Sequence, residues 1–305
     1  MHTREEPKID FAIIGAQKSG TTALFDMLNQ HPEIQFGYKK EDNYFVQEEI
    51  YQSGPAHLYG IYATDKLNGL RGYAYVNLMY FHSIAVPRLY KNNPSMKIVA
   101  ILRDPIDRAY SAFHYMRSRM MEPHETFEAA IEQELVSLDD SFQFQANRTY
   151  LGHGHYASQL KPFLDAFGRE NVRIYDQAEL KRSYQEVCSD AFQFLGVQDL
   201  AGTVTQSLSN QTGMPAVSLI PRLIYSTGSL KSLYVRLLPA AARRRLRVGV
   251  VRKVREANLK QVQFPPMSSD TRARLAAYYA PHNEALAQLL GRESSLWPAP
   301  FSIKD

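Results

Sequence analysis

The sequence predicts an α/β protein in which helices cover both faces of a parallel β-sheet. Two apolar runs of the buried-strand type, residues 9–14 and 96–102, are each followed by a short turn and an amphipathic helix. Strand and helix patterns alternate again over residues 156–195. Because parallel strands need a crossover between them, this alternation is typical of a three-layer fold with a central parallel sheet flanked by helices.

The first unit is a strand, a glycine-containing turn and a helix. Residues 9–14 form a short apolar run that ends at Gly15. Residues 21–30 then carry apolar side chains at helical spacing. This helix ends just before Pro32, since the residue before a proline disfavours helical geometry.

The second unit repeats that order. Residues 96–102 contain the run KIVAIL, which predicts a strand buried on both faces. A helix is predicted over residues 106–119, with Pro105 at its opening, where a proline needs no hydrogen-bond donor.

Four further elements complete the pattern. Helices are predicted over 156–167 and 183–195, and a short strand over 172–175. The last helix, 271–290, is expected to break at Pro281 because proline cannot donate a backbone hydrogen bond. Residues 36–70 show no clean period and give no prediction.

Composition bounds the class of protein. The chain has 305 residues, of which 45% are hydrophobic and 22% charged, as in ordinary globular proteins. Its one cysteine excludes a disulfide framework and a cysteine-based zinc cluster. We expect a single domain over 1–305 with a flexible N-terminus at 1–8. No secretory leader or membrane-spanning run is visible, so a cytoplasmic location is expected.

Positive charge is concentrated in one segment. Residues 231–260 hold ten Lys and Arg against one acid, so they carry +9 while the other 275 residues sum to −5. This local charge argues against a nucleic-acid-binding protein. The segment is either a solvated helical face or a contact for an anionic acceptor, an acidic carrier protein or a membrane surface.

The first turn has the features of an anion-binding loop. It runs from Gly15 to Thr22, between the end of a strand and the start of a helix. Free N–H groups and the helix dipole favour an anion there. Lys18 adds a charge, and the hydroxyls of Ser19, Thr21 and Thr22 add donors.

This turn departs from the nucleotide triphosphatase loop. Gly15 and Gly20 have the separation of that pattern, but Thr21 stands where its lysine belongs. The magnesium chemistry of that class is therefore not supported. An ordinary glycine turn with a solvated lysine remains an alternative for this loop.

A second loop, after the second strand, favours the anion-binding interpretation. Arg103 stands at the strand terminus, and Ser111 follows eight residues later inside the next helix. The Arg103 guanidinium and the Ser111 hydroxyl could hold a second anion. Two anion sites on adjacent strands suit a ligand with two separated phosphates.

Together the two loops resemble those of sulfotransferases that use 3′-phosphoadenosine 5′-phosphosulfate. Residues 17–24 (QKSGTTAL) resemble the family's 5′-phosphosulfate loop, and 103–111 (RDPIDRAYS) its 3′-phosphate motif. Weaker likeness continues through 156–180, 210–215 and 278–297, nearer to the bacterial and heparan-type branch. The resemblance implies a P-loop-like fold.

The resemblance also implies an activity and a set of site residues. The reaction would be in-line transfer of a sulfuryl group to an acceptor, with Lys18 stabilising the leaving phosphate and no metal required. The product would be adenosine 3′,5′-bisphosphate. The residues implied to bind the co-substrate are Lys18, Ser19, Gly20, Thr21, Thr22, Arg103, Ser111 and Asn210.

The family's base is a glutamate in a Lys-Glu motif, and Glu41 matches it. A solvated glutamate in a charged loop is the alternative interpretation, and His114 is an alternative base. Residues 72–77 lack the Glu-Lys pair that relatives carry there, and tyrosines replace it. The acceptor pocket is therefore expected to be less ionic and more aromatic.

The acceptor would be a hydroxyl or amine of a saccharide or small natural product, possibly carrier-bound or anionic. We expect residues 216–268, a variable basic helical segment, to lie near it. Two other functions stay open: a kinase-like P-loop nucleotide enzyme, and a non-catalytic nucleotide- or carbohydrate-binding module.

Overall fold

Five parallel strands form the central sheet of the computed structural model, which describes residues 7–38, 40–62, 69–136, 139–206, 214–215, 259–260, 264–293 and 297. Their order across the sheet is β2-β3-β1-β4-β5. A two-residue antiparallel pair lies apart from this sheet. In chain order the strands are Phe11–Gly15 (β1), Ile34–Phe36 (β2), Leu70–Ala74 (β3), Lys97–Leu102 (β4), Val172–Asp176 (β5), Met214–Pro215 (β6) and Leu259–Lys260 (β7).

Eleven α-helices are described, together with three single 3₁₀ turns at Gly152–Gly154, Arg169–Asn171 and Ala201–Thr203. The α-helices are Thr21–Leu28 (α1), Glu48–Tyr51 (α2), Pro55–Ile61 (α3), His82–Asn92 (α4), Pro105–Ser118 (α5), Phe127–Val136 (α6), Phe142–Arg148 (α7), Tyr156–Phe167 (α8), Gln177–Arg182 (α9), Tyr184–Leu195 (α10) and Ser269–Leu290 (α11).

Alternating side chains of the strands build two separate hydrophobic cores. In β1, Phe11 and Ile13 belong to the core formed with α1 and α10. Ala12 and Ile14 belong to the opposite core, formed with α4 and α8. A strand with apolar residues on both faces must be covered on both, so the predicted three-layer arrangement is confirmed.

The expected break at Pro281 is wrong, because α11 runs through this residue without interruption. Proline removes one hydrogen bond of the helix, but packing can compensate for that loss. Tyr279 and Leu286 lie on either side of Pro281 and are both buried, so tertiary contacts hold each half of α11 in place. Helices α4 and α8 likewise continue through Pro87 and Pro162.

Strand β3 lies between β2 and β1, and its glycine interrupts the apolar pattern by which a strand is recognised in a sequence. A Cβ placed on Gly72 would lie 2.4 Å from a ring atom of Phe11 and 2.6 Å from one of Phe36. Two aromatic rings thus occupy the space where a side chain would be. The packing that requires this glycine also weakens the strand pattern in the sequence.

Some predictions fall on residues outside the described part of the chain. Asn210 and almost all of the basic segment, residues 216–258 and 261–263, are among them. Within the described residues, no helix combines the length and apolar character that crossing a membrane requires. The single domain over 1–305 and the cytoplasmic location stay predictions.

Candidate functional site

Both predicted loops open into one cavity of about 680 Å³ at the carboxyl ends of the strands. Lys18 and Arg103 both line it, one after β1 and one after β4, and these two strands are neighbours in the sheet. An open parallel sheet binds its ligands at this edge. The cavity has the size of a small-molecule site.

Two walls of the cavity can be distinguished by the elements that carry them. The cationic wall comes from the segments that follow β1 and β4. It consists of Lys18, Gly20, Thr21, Thr22, Arg103 and Ser111. The amide wall comes from the segments around Glu41 and after β3, and from α7. It consists of Glu41, Tyr75, Val76, Asn77, Gln143 and Asn147.

The turn after β1 is held against β4 by its backbone. The Ala16 N–H donates to the Ile101 carbonyl at 2.8 Å, and Arg103 Nη1 donates to the Lys18 carbonyl at 3.3 Å. Gly20 caps α1 with φ of +102°, a backbone geometry that favours glycine. The first N–H groups of α1 therefore lie at the cavity, where they can bind an anion.

The Lys18 side chain contacts an aromatic ring inside the cavity. Its Nζ lies 4.1 Å from the ring centre of Tyr115, which is one helical turn after Ser111 on α5. The face of a phenol ring attracts a cation. Tyr115 thereby orients the Lys18 ammonium within the cavity, a contact that the sequence analysis did not foresee.

Lys40 is a second cation next to the turn after β1, and the sequence analysis did not assign it a role. Its Nζ donates to Thr22 Oγ1 at 2.5 Å and lies 3.4 Å from Glu41 Oε1. Burial lowers the pKa of Lys40. This lysine therefore joins the cationic wall to the segment of Glu41. The only signal in the sequence is its place before Glu41.

Ser19 does not line the cavity, unlike its neighbours in the loop. Its side chain is fully buried and lies beside the hydroxyl of Tyr156. Burial raises the pKa of Tyr156 to about 12, so this hydroxyl keeps its proton and donates to the Arg103 carbonyl at 2.9 Å. The Ser19 side chain thus packs against Tyr156, and its predicted role in binding the co-substrate stays a prediction.

Helix α5 carries Ser111 on the face that lines the cavity. Asp104 caps this helix, because its carboxylate accepts the N–H groups of Ile106 at 2.8 Å and Asp107 at 3.0 Å. The cap fixes the direction in which α5 leaves β4. Arg103 and Ser111 therefore line the same cavity.

Glu41 lies on the opposite side and is partly exposed. Its Oε2 accepts the Val76 N–H at 3.1 Å, and 42% of its side chain is accessible. The Val76 segment also lies close to the end of β1, since a Cβ on Gly15 would lie 3.1 Å from the Val76 carbonyl oxygen. The carboxylate is thus oriented by the backbone after β3.

The amide wall is held together by one backbone carbonyl. The Ala146 carbonyl of α7 accepts both Gln17 Nε2 and Asn77 Nδ2, each at 3.0 Å. Gln17 belongs to the turn after β1, whereas Asn77 follows β3. These two bonds dock α7 onto the cavity and leave Gln143 and Asn147 along its wall.

His114, the alternative base, does not line the cavity. Its ring stacks on Phe264 with 3.9 Å between ring centres and is almost fully buried. Burial and, to a lesser degree, the charge of Arg117 lower the pKa of His114 to about 4. In this structure the His114 ring is thus neutral and packs against Phe264, and its role as the alternative base stays a prediction.

Among the side chains that the structure describes, no group of three or more His, Cys, Asp or Glu is arranged to hold a metal ion. The chemistry of the cavity is instead that of cations and helix N–H groups facing one carboxylate. Such a site suits the binding of an anionic ligand beside a group that can accept a proton.

Comparison with known proteins agrees with this arrangement. The sulfotransferase domain model matches residues 8–213. The chain is 28% identical over 301 residues to human bifunctional heparan sulfate N-deacetylase/N-sulfotransferase 3, an alignment that covers 92% of this chain and 29% of the relative. Identity to the mouse N-deacetylase/N-sulfotransferase 4 is 28% over 294 residues, with 92% and 30% covered.

A sulfotransferase from Alicyclobacillus acidocaldarius has a similar structure. The TM-score is 0.67 at 23% identity, with 94% of this chain and 98% of that chain covered. This likeness confirms the predicted fold class. The family match confirms the resemblance that the two loops predicted. The chain spans about 30% of the length of the curated relatives named above.

Proposed function

Since the chain belongs to the sulfotransferase domain family, we propose that it transfers a sulfuryl group from 3′-phosphoadenosine 5′-phosphosulfate to a hydroxyl or amine of an acceptor. The single observation that carries this proposal is the cavity lined by both Lys18 and Arg103. The two cations stand after neighbouring strands, as a ligand with two separated phosphates requires.

The residues present fit this donor. Arg103 and Ser111 would hold the 3′-phosphate, while Gly20, Thr21 and Thr22 at the start of α1 would hold the phosphosulfate end. Asn210, which lies outside the described residues, would contribute to donor binding. The donor, when bound, supplies the sulfuryl group.

Lys18 would act on the leaving group. The bond between sulfur and the bridging phosphate oxygen breaks, and negative charge grows on that oxygen. A lysine and helix N–H groups next to it stabilise the charge more in the transition state than in the ground state. A sulfuryl group carries less charge than a phosphoryl group, so the proposal requires no metal.

Glu41 would be the base. Its Oε2 accepts the Val76 N–H, its Oε1 lies 3.4 Å from Lys40 Nζ, and the residue lines the cavity. As the new bond from the acceptor to sulfur forms, the acceptor proton passes to the Glu41 carboxylate. A base placed in this way typically accelerates the transfer about 10²- to 10⁴-fold.

For the acceptor we propose a saccharide or a small natural product. The relatives act, by their names, on heparan sulfate. In this chain the amide wall offers Tyr75, Asn77, Gln143 and Asn147, which are neutral hydrogen-bonding groups. The missing Glu-Lys pair at residues 72–77 favours an acceptor less ionic than sulfated heparan.

A transfer assay tests the proposal. The chain is incubated with radiolabelled donor and four probe acceptors: p-nitrophenol, p-nitrophenyl β-glucoside, p-nitrophenyl β-glucosaminide and de-N-acetylated heparosan. Labelled product together with stoichiometric adenosine 3′,5′-bisphosphate is the expected result. Binding of the bisphosphate without transfer would favour the non-catalytic module, and transfer from ATP–Mg²⁺ the kinase-like enzyme; either would contradict the proposal.

A further inference from the structure

A buried carboxylate follows Glu41 directly in the chain. Asp42 is fully buried, and its two oxygens lie 3.1 Å and 3.0 Å from Nε2 of His57 on α3. An ionised carboxylate can only accept, so the His57 Nε2–H donates to it. The His57 ring stacks on Tyr44 with 5.3 Å between centres and 7° between planes.

The backbone of Asp42 is fixed as well as its side chain. The hydroxyl of Tyr73, on β3, donates to the Asp42 carbonyl. The Tyr44 N–H donates to Oδ1 of Asp42 at 2.9 Å. Strand β3 and helix α3 thus hold the residue beside Glu41 on two sides, while Lys40 holds the other side through Thr22.

Burying such a pair is costly, so its presence needs a reason. A buried carboxylate loses its hydration, and a single partner often only balances that loss. Apolar residues of the same volume would serve stability as well. What a directional pair adds is a defined orientation of the chain that carries it.

The chain contains a matched carboxylate–histidine pair outside this segment of the sequence. Glu122 Oε1 lies 2.6 Å from Nδ1 of His124, and the carboxylate and ring have almost the same exposure as Asp42 and His57, 1% and 29% against 1% and 26%. Neither Glu122 nor His124 lines the cavity. Glu122 also accepts from Arg148 Nε at 3.2 Å and from the Tyr150 hydroxyl at 2.7 Å, so this pair shares the carboxylate–imidazole contact and its burial with Asp42 and His57 but not the other partners.

We propose that Asp42 and His57 are positioning residues for Glu41. They fix the backbone on its C-terminal side, so that the carboxylate stays on the Val76 N–H and faces the cavity. The inference rests on the proposed function, in which Glu41 is the base. Neither residue touches the acceptor, and both act through Glu41.

Two conservative variants test the pair. His57→Phe keeps an aromatic ring against Tyr44 and removes the hydrogen bond, while Asp42→Asn keeps a hydrogen-bonding group and removes the charge. Each is made alone and together with Glu41→Gln. The readouts are kcat with the probe acceptor that the wild type uses best, Kd for adenosine 3′,5′-bisphosphate, and thermal unfolding.

A misplaced base should cost turnover and leave donor binding intact. We expect His57→Phe to lower kcat by about 10- to 100-fold, since a shift near 1 Å at a reacting group can cost that much. The bisphosphate Kd should change less than about twofold. In the Glu41→Gln background neither variant should lower kcat further, because the group they position is gone.

His124→Phe is the control. It breaks the matched pair, so it should lower the melting temperature as His57→Phe does and leave kcat unchanged. Full activity of folded His57→Phe, or an equal loss of kcat with Glu41→Gln already present, would overturn the inference and leave the proposed function standing. A wild type that transfers to none of the probes would contradict the proposed function, and the inference with it.

Discussion

The two walls of the cavity differ in how they are built. The cationic wall follows β1 and β4, two strands that pair side by side and that each contain five consecutive residues of apolar or small type. The amide wall draws on three separate segments, held by bonds of Asn77 and Gln17 to one carbonyl and of Glu41 to Val76. Each half of the cationic wall is a local strand–turn–helix motif, whereas no single local motif supplies the amide wall.

This difference separates the two tasks of a transferase. Donor binding needs backbone N–H groups and cations in a fixed frame, which strand ends and helix starts supply. Acceptor chemistry needs a base at the right place, and several loops must meet to provide it. Changes to the cationic wall should therefore weaken donor binding or the stabilisation of the leaving bisphosphate. Changes to the amide wall should lower kcat and leave donor binding unchanged.

The sharpest test of this division is Glu41→Gln. The amide cannot take a proton from the acceptor, so kcat should fall by about 10²- to 10⁴-fold while the bisphosphate Kd stays unchanged. Steady-state kinetics and calorimetry measure the two. Glu49→Gln, at an exposed position of α2, is the control and should match the wild type. A comparable loss of bisphosphate binding would contradict the division.

Lys18→Ala tests the cationic wall. The ammonium would stabilise charge that develops only as the bond to the leaving group breaks, so kcat should fall by about 10²- to 10³-fold. Bisphosphate affinity should fall much less. Lys161→Ala, an exposed lysine paired with Asp165 on α8, serves as the control. Equal losses in kcat and affinity would remove this role from Lys18.

Gly72→Ala should weaken the strand that supports the amide wall. Its Cβ would collide with the rings of Phe11 and Phe36, and overpacking of this kind costs about 1 to 3 kcal/mol. Urea unfolding measures the loss. Gly60→Ala, in α3 where a Cβ meets nothing, should instead be neutral or stabilising. Equal stability of the two variants would show that the rings of Phe11 and Phe36 move aside without cost, contrary to this prediction.

Acid should weaken the support of the amide wall. His153 stacks on Tyr80, and its Nε2 lies 3.0 Å from the Gln145 carbonyl of α7. Burial, with a smaller effect of Arg108, lowers the pKa of His153 to about 3. The unfolded chain therefore binds this proton below pH 6.5 and the folded chain does not, so stability is full above 6.5 and declines as the pH falls toward 3.

The free energy of unfolding falls by about 1.4 kcal/mol per pH unit for each histidine that the folded chain keeps neutral and the unfolded chain protonates. His153→Gln keeps an N–H donor without this proton. It should reduce the loss of stability between pH 7 and 5 by about 2 kcal/mol in urea unfolding. An unchanged loss would mean that other groups carry the acid sensitivity.

The sequence predicted the cationic wall because its signals are local. Gly15, Gly20 and Lys18 lie within six residues, and the apolar run before Arg103 marks its strand. It also predicted Glu41 through its Lys-Glu motif. A loop motif does not predict the orientation of each of its side chains, as Ser19 illustrates, since its side chain packs beside Tyr156.

The amide wall could not be predicted in the same way. The glycine that packs between two rings weakens the sequence pattern of strand β3, and α7 is docked at the cavity by bonds of Gln17 and Asn77 to the Ala146 carbonyl. The expected break at Pro281 failed for a related reason: buried side chains on both sides of it keep α11 continuous. Contacts between residues distant in the sequence determine strand β3, the docking of α7 and the continuity of α11, so a local sequence pattern does not predict these features.

Binding of adenosine 3′,5′-bisphosphate, measured by calorimetry without metal, tests the central claim most directly. Arg103→Ala should weaken it by about 1.5 to 3 kcal/mol, because a charge-assisted contact to the 3′-phosphate is lost. Arg173→Ala, on the edge strand β5, should bind as the wild type does, and ATP–Mg²⁺ should bind weakly to all three proteins. Equal affinity of Arg103→Ala and wild type for the bisphosphate would contradict the account.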